Sequence, residues 1–523
     1  MGFRMASVDL NPANSSFERA APLARFATVD LVRLGALLFI LPNALFALSL
    51  GALPQALVLL GCLGATVLLW RPSAALGLLA EQIDARMLAA CAGLALTLCV
   101  LGGEGHFFYA NADWLARDGV LADLVDRGYP VFYHYQDRDF LLRAPLGMYM
   151  TPALVGRGFG LHAAHMALLA QNAALLTPML YLVARLARPH AALVLGLMTL
   201  FSGLDIVPAF VVEIARHAAE GLWGHLGHIE WWNPYVQYSS HVTQLFWAPN
   251  HALPGWWMAV LILLFAHGEI GFSALVAMLA PLVFWAPLPM LGALPSLTLW
   301  AFRLSPSERF APRNLLAVSS GLCFLPVAFY LTRDAGDNPH RLLLALPDYW
   351  MLYGLFLLVE IPHAALLYVA WPRLDARDRP ALLVSFALLI ALPAFEFGHS
   401  NDLAMRASIP PLFLLAFAYA RLCADLIGER PWTKLQGAAL TIALLSAVTP
   451  ALEIARAFLP AFAISDCNFL TTWRKSAPKS NGANYLASVD SAPEWLLRRE
   501  GPRKELEQRQ CWPDHPLLEE TRR

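Results

Sequence analysis

The chain has 523 residues, of which 58% are hydrophobic and 14% charged, and its 37 Lys and Arg nearly balance its 38 Asp and Glu. A mean hydropathy of +0.53 over that length describes a polytopic membrane protein rather than a water-soluble domain. The net charge of −1 argues against a nucleic-acid partner, whose phosphates require a basic face.

The first 28 residues of the segment 1–33 are polar and mixed in charge, without the basic start, apolar centre and small-residue cleavage site of a signal peptide. They are expected to form a cytoplasmic segment ahead of a retained first helix. Hydrophobic runs at 34–50, 54–70 and 86–102 follow. They lead into a polar loop over 103–160 that holds nine Arg and Asp residues between Asp113 and Asp139. Within it, DWLARDGVLADLVDR places Trp114, Leu121 and Val125 on one side of a helix and Arg117, Asp123, Asp126 and Arg127 among its polar positions. The pattern predicts a short amphipathic helix on the membrane surface, with Asp113 at its start as an N-cap or a reactive acid. An aromatic turn from Tyr129 to Tyr135 comes next. It is followed by Arg143 before Ala-Pro-Leu and a stretch ending in Gly156-Arg-Gly-Phe-Gly160.

An acid opening a juxtamembrane helix, then a basic residue before x-Pro-Leu, an aromatic three residues on and a closing glycine resembles the first external loop of GT-C membrane glycosyltransferases. The likeness is closest to the branch of protein O-mannosyltransferases and lipid A aminoarabinose transferases. The resemblance implies Asp113 as the catalytic base and Arg143 as a contact to the phosphate of a polyprenyl-phosphate sugar. The family's Asp-Glu pair reads Asp113-Trp114 here, its Lys reads Arg143, and the loop follows the third hydrophobic run instead of the first. The detailed match covers about fifty residues of the chain. Asp118, in the middle of the same helix and free of any capping role, is the second candidate base.

Further spans are expected at 162–184, 190–210, 253–267, 271–286, 288–303, 314–332, 348–371, 380–396, 408–426 and 435–458. That makes about thirteen transmembrane helices (11–13) in an all-α polytopic, GT-C-like domain over 34–458. Four prolines between 281 and 295 leave the pair at 271–303 open to being one broken helix or a re-entrant pair. With the N-terminus inside, 17 Lys and Arg fall on the cytoplasmic side and 10 on the other side, leaving out the tail. The positive-inside rule therefore favours an N-in, C-out arrangement in a bacterial inner membrane.

This orientation gathers three polar clusters and the tail outside. Asp205 lies near the outer end of its span, either partnered inside the bundle or as a further site acid. The second outer loop, 211–252, carries His225, His228, Glu230 and His241 as weak metal-ligand candidates. It also carries many aromatic residues, among them Trp231 and Trp232, which suit either an interfacial belt or stacking on sugar faces. Glu360 and His363, one turn apart, are expected to pair with each other. Before the span at 408, Asn401 and Asp402 suit a helix cap. Arg406 there suits either snorkelling or a lipid phosphate.

Residues 459–523 turn polar and form a small extracytoplasmic tail, too short for a catalytic domain. It holds Cys467 and Cys511, the only two cysteines outside the apolar runs, and an oxidising compartment favours a disulfide between them. The sequence has no Walker loop, dinucleotide fingerprint or nucleophile elbow. The expected activity is transfer of a sugar from a polyprenyl-phosphate donor to a glycan, lipid or protein hydroxyl on the outer face, by direct displacement with inversion. Two alternatives stand beside it: a lipid-linked saccharide transporter or flippase, and a non-catalytic GT-C-like subunit of an envelope assembly complex. A divalent metal is the one cofactor that the histidines of the second loop suggest.

Overall fold

The computed structural model describes residues 26–70, 77–216, 226–335, 338–398, 401–476, 484–497, 499 and 501–511, with 212–216 and 226–228 described by backbone alone. Most of them are helical. Among the described residues, seven helices are long and apolar enough to cross a membrane: Thr28–Ala47, Ala52–Trp70, Leu161–Leu186, Pro249–Ala266, Pro312–Leu331, Ile409–Leu426 and Lys434–Arg456. An eighth span is available if Tyr349–Glu360 and Pro362–Val369, bent by 64° at their junction, count as one. The apolar helices Ala85–Leu101, Phe272–Val283 and Arg379–Ala394 are shorter.

Among the described residues fewer helices than the expected thirteen meet that length and composition, for local reasons. The stretch expected as one span at 190–210 is two helices, Ala191–Thr199 and Ile206–Arg216. Between them the chain passes Gly203, where a Cβ would lie 2.7 Å from the Glu360 carboxylate and 2.9 Å from its Cα. Only a glycine admits that approach, and the non-helical segment sets Asp205 beside Glu360. The 348–371 stretch bends where Pro362 has no N–H to continue the ladder. The 271–303 region is two helices, Phe272–Val283 and Pro287–Arg303, parted by a turn at 284–286.

Pro249–Ala266 and Ile409–Leu426 form the centre, each 83% buried, whereas Lys434–Arg456 is 28% buried and lies at the edge. Trp257 and Trp285 are fully enclosed around Phe39, whose ring meets Trp285 edge-on at 4.8 Å.

Two short sheets sit outside the bundle. β1 (Phe132–Tyr135) and β2 (Arg138–Leu142) form a hairpin in the first loop. β3 (His340–Leu342) pairs with β4 (Phe395–Phe397). β5 (Leu486–Ser488) and β6 (Arg503–Lys504) come from the tail and flank the hairpin in the order β5-β2-β1-β6. The tail and the first loop thus build one cap, and Cys467 is joined to Cys511 by a disulfide within it.

The cap also alters the expected surface helix. In Ala112–Arg127, the polar residues Arg117, Asp118 and Asp123 are buried along with Trp114, Leu115 and Leu121. The tail covers the polar face: Gly119 packs against the backbone of Phe469, and Asp123 accepts the Phe469 N–H at 2.9 Å and the Tyr133 hydroxyl at 2.6 Å. Lys504 completes the Asp123 site at 2.8 Å.

Candidate functional site

The helix Ala112–Arg127 is capped by Asn111, whose side chain accepts the Asp113 N–H at 3.1 Å. Asp113 is therefore not the N-cap. Released from that role, its side chain stays 48% exposed, 3.4 Å from Arg117 one turn on. Arg117 is buried; it lies over the Trp114 ring at 5.2 Å and donates to the Trp247 carbonyl.

A second helix brings the matching charges. Asp402–Ala407 is capped by Asn401, whose Oδ1 accepts from the Ala404 and Phe397 N–H groups while its Nδ2 donates to the Phe395 carbonyl. These bonds use both ends of the Asn401 amide, so this residue serves the local fold and not a ligand. Arg406 lies 3.7 Å from Asp402, whose other oxygen takes the Asn484 amide at 3.2 Å. The charges of Arg117, Asp113, Asp402 and Arg406 all act on the hydroxyl of Tyr485. Those of Arg406 and Arg117 also reach the ring of His251. Asp113 and Arg406, 293 positions apart in sequence, thus act together with Arg117 and Asp402 on the one hydroxyl of Tyr485.

Arg143 is placed differently. Its backbone N–H donates to the Tyr485 carbonyl at 2.6 Å, which secures that strand, but its side chain is 5% exposed. Burial holds its guanidinium below the ordinary value, opposed by the charges of Tyr330, Asp334 and Tyr129.

Asp118 is fully buried, 3.0 Å from His106, and accepts the Ser465 N–H at 3.0 Å. It is enclosed beneath the tail, whereas Asp113 is half exposed.

The remaining acids lie deeper. Asp205 is buried, accepting from Ser202 at 2.8 Å and Thr449 at 2.9 Å, with Glu360 as its carboxyl partner. Glu360 also accepts the Trp232 indole N–H at 2.8 Å, and His363 turns to Ser446 at 3.3 Å. The expected Glu360–His363 pair is therefore replaced by two separate partnerships. Asp205 serves this buried pair and is not among the charges that act on Tyr485 with Asp113. Trp232 is committed to Glu360 and stacks with Phe356, whereas Trp231 is 63% exposed.

The metal candidates of the second loop do not come together among the described residues. Glu230 accepts from the Ser240 N–H, the Thr243 hydroxyl and the Gln237 amide at 2.6–2.9 Å. Burial pushes its carboxyl up to about 8, with Asp205 and Glu453 adding to the effect. His241 donates to the Met198 carbonyl at 2.6 Å and lines an apolar cavity, and burial pushes its imidazole down to about 4. His225 and the side chain of His228 lie outside the described residues.

Sequence reasoning left Arg117, Tyr485 and Asn484 out of the site. Arg117 had a usable signal, its i, i+4 spacing from Asp113. Tyr485 and Asn484 sit in a polar tail, and only its folding back over the first loop brings them near Asp113.

Comparison of the chain with family models, curated proteins and solved structures finds no match.

Proposed function

We propose that the protein is a membrane glycosyltransferase that moves a sugar from a polyprenyl-phosphate donor to an acceptor hydroxyl on the extracytoplasmic face, with inversion. The observation that carries this reading is the half-exposed Asp113 beside Arg117, with the charge of Arg406 reaching the same Tyr485 hydroxyl. A carboxylate that takes the acceptor proton as its oxygen attacks C1 contributes typically ~10²–10⁴-fold. Fixed guanidinium groups stabilise the charge that grows on the departing phosphate. In this reading Asp113 is the base, and Arg406 with Arg117 takes the phosphate role that the resemblance gives to Arg143. Trp231 offers a ring for the sugar or prenyl chain. The cap, the site and the C-terminus then lie outside, and the N-terminus lies in the cytoplasm.

The test pairs two measurements in membranes containing the full chain. Transfer of labelled sugar from polyprenyl-phosphate hexose should fall by about 10²-fold or more in Asp113→Asn, and binding of the same lipid to the purified protein should weaken in Arg406→Ala. Near-normal transfer by a folded Asp113→Asn protein would remove the assignment.

The buried Asp205–Glu360 pair favours one second reading, because ionisable groups enclosed in a membrane domain often mark proton or substrate paths. A proton-coupled transporter of lipid-linked saccharide would tolerate Asp113→Asn and lose gradient-driven movement of the lipid in Asp205→Asn.

A further inference from the structure

Beneath the cap, three side chains from three elements meet with no role in the proposed transfer. His106 follows the helix Ala85–Leu101, Asp118 is on Ala112–Arg127, and His165 is on Leu161–Leu186. One donor atom from each lies within 4.8 Å of the other two.

The hydrogen bonds around them are directional. His106 Nδ1 lies 3.0 Å from the Phe462 carbonyl oxygen. A carbonyl can only accept, so Nδ1 carries a proton and Nε2 is directed at Asp118 Oδ1, 3.0 Å away. In a neutral ring that Nε2 is a lone pair facing a carboxylate oxygen, an arrangement that needs a cation between them or a proton held on the ring or the carboxyl. His165 Nε2 stands 4.0 Å from the same Oδ1. His165 is 1% exposed, and neither of its ring nitrogens has a hydrogen-bond partner among the described residues. A buried imidazole without a partner loses its hydration for no return, unless a ligand supplies the contact.

The spacing suits a metal ion. Tetrahedral bonds of about 2.0–2.2 Å from nitrogen and carboxylate oxygen set ligand atoms roughly 3.4 Å apart, between the 3.0 Å and 4.0 Å found here. The supporting contacts are of the kind that orient ligands. The Phe462 carbonyl sets the His106 tautomer, and the Ser465 N–H occupies Asp118 Oδ2, leaving Oδ1 to bind.

We propose that His106, Asp118 and His165 bind one divalent transition-metal ion, of the zinc class that two imidazoles and a carboxylate select over calcium or magnesium. The ion fastens the helix that carries Asp113 and Arg117 to Leu161–Leu186 and, through Phe462 and Ser465, to the tail. Three protein ligands leave one tetrahedral position for water.

The test uses full-length protein purified in detergent, stripped with a chelator and titrated with Co(II) and then Zn(II). Wild type should take up one equivalent with the intense visible bands of tetrahedral Co(II), which Zn(II) bleaches. His165→Ala removes a side chain that makes no hydrogen bond, so the fold should persist. It should weaken binding by more than about 100-fold, the upper end of what losing a merely supporting contact costs. His267→Ala tests the other grouping of potential ligands, His267 with Asp375 and Asp378, and should leave the Co(II) spectrum unchanged. The proposal is overturned if wild type binds no more Co(II) than His165→Ala, if the spectrum is that of an octahedral all-oxygen ion, or if the bound equivalent disappears only in His267→Ala.

Discussion

Gly292 offers the sharpest test of how the bundle holds the candidate site. It lies in Pro287–Arg303, against the end of Asp402–Ala407, and a Cβ there would fall 1.9 Å from the Ala407 carbonyl oxygen and 2.8 Å from its carbon. Heavy-atom contacts are comfortable near ~3.5 Å, so Gly292→Ala must part these backbones by roughly 1.5 Å. Overpacking of this kind costs about 1–3 kcal/mol, and the better helix propensity of alanine returns about 1 kcal/mol. The expected net loss is about 0–2 kcal/mol. Gly196→Ala is the control: it is a helical glycine whose Cβ would meet nothing within 4 Å, so it should stabilise by about 0.5–1 kcal/mol. Unfolding of both variants in mixed detergent micelles measures the difference. Ala407 follows Arg406 in the chain, so Gly292→Ala should also weaken lipid-phosphate binding. Equal stability of the two variants would refute the close contact between these helices.

Glu230 makes stability depend on pH. With its folded carboxyl pushed up to about 8, the folded state keeps a proton that the unfolded state has released, so stability falls as pH rises from the ordinary carboxyl range through 8 and levels off above it. Melting curves should show that decline in wild type and less of it in Glu230→Gln; identical slopes would contradict it. Asp123→Ala leaves the Tyr133 hydroxyl and the Phe469 N–H without their acceptor and should cost about 3–5 kcal/mol, the range for breaking a buried pair. Limited proteolysis should then cut the tail first, and an unchanged digestion pattern would count against the tail's dependence on this acid. Reducing Cys467–Cys511, which closes a separation of 44 residues, should loosen the same region by about 4 kcal/mol in the chain-entropy treatment. Faster cleavage between 484 and 511 under dithiothreitol would be the sign of it.

Composition and apolar run length were enough to establish a helical membrane protein, because burying backbone in lipid leaves few other choices. They could not count the spans. Runs that read as continuous at 190–210 and 348–371 are broken by a glycine pressed against Glu360 and by Pro362, and whether such a residue bends or ends a helix depends on what packs against it. Local spacing made the 112–127 helix legible, together with its acid and the basic residue four positions later. Its polar face was read as surface, since nothing in those sixteen residues reports that a tail more than 300 positions away will cover them. The same limit applies to the site. Asp113 and Arg406 were each recognisable as a charge beside an apolar run. The convergence of their charges on Tyr485, the burial of Arg143, and the gathering of His106, Asp118 and His165 came only with tertiary structure. Hydrophobic pattern encodes which face a segment buries, but not which distant segment buries it.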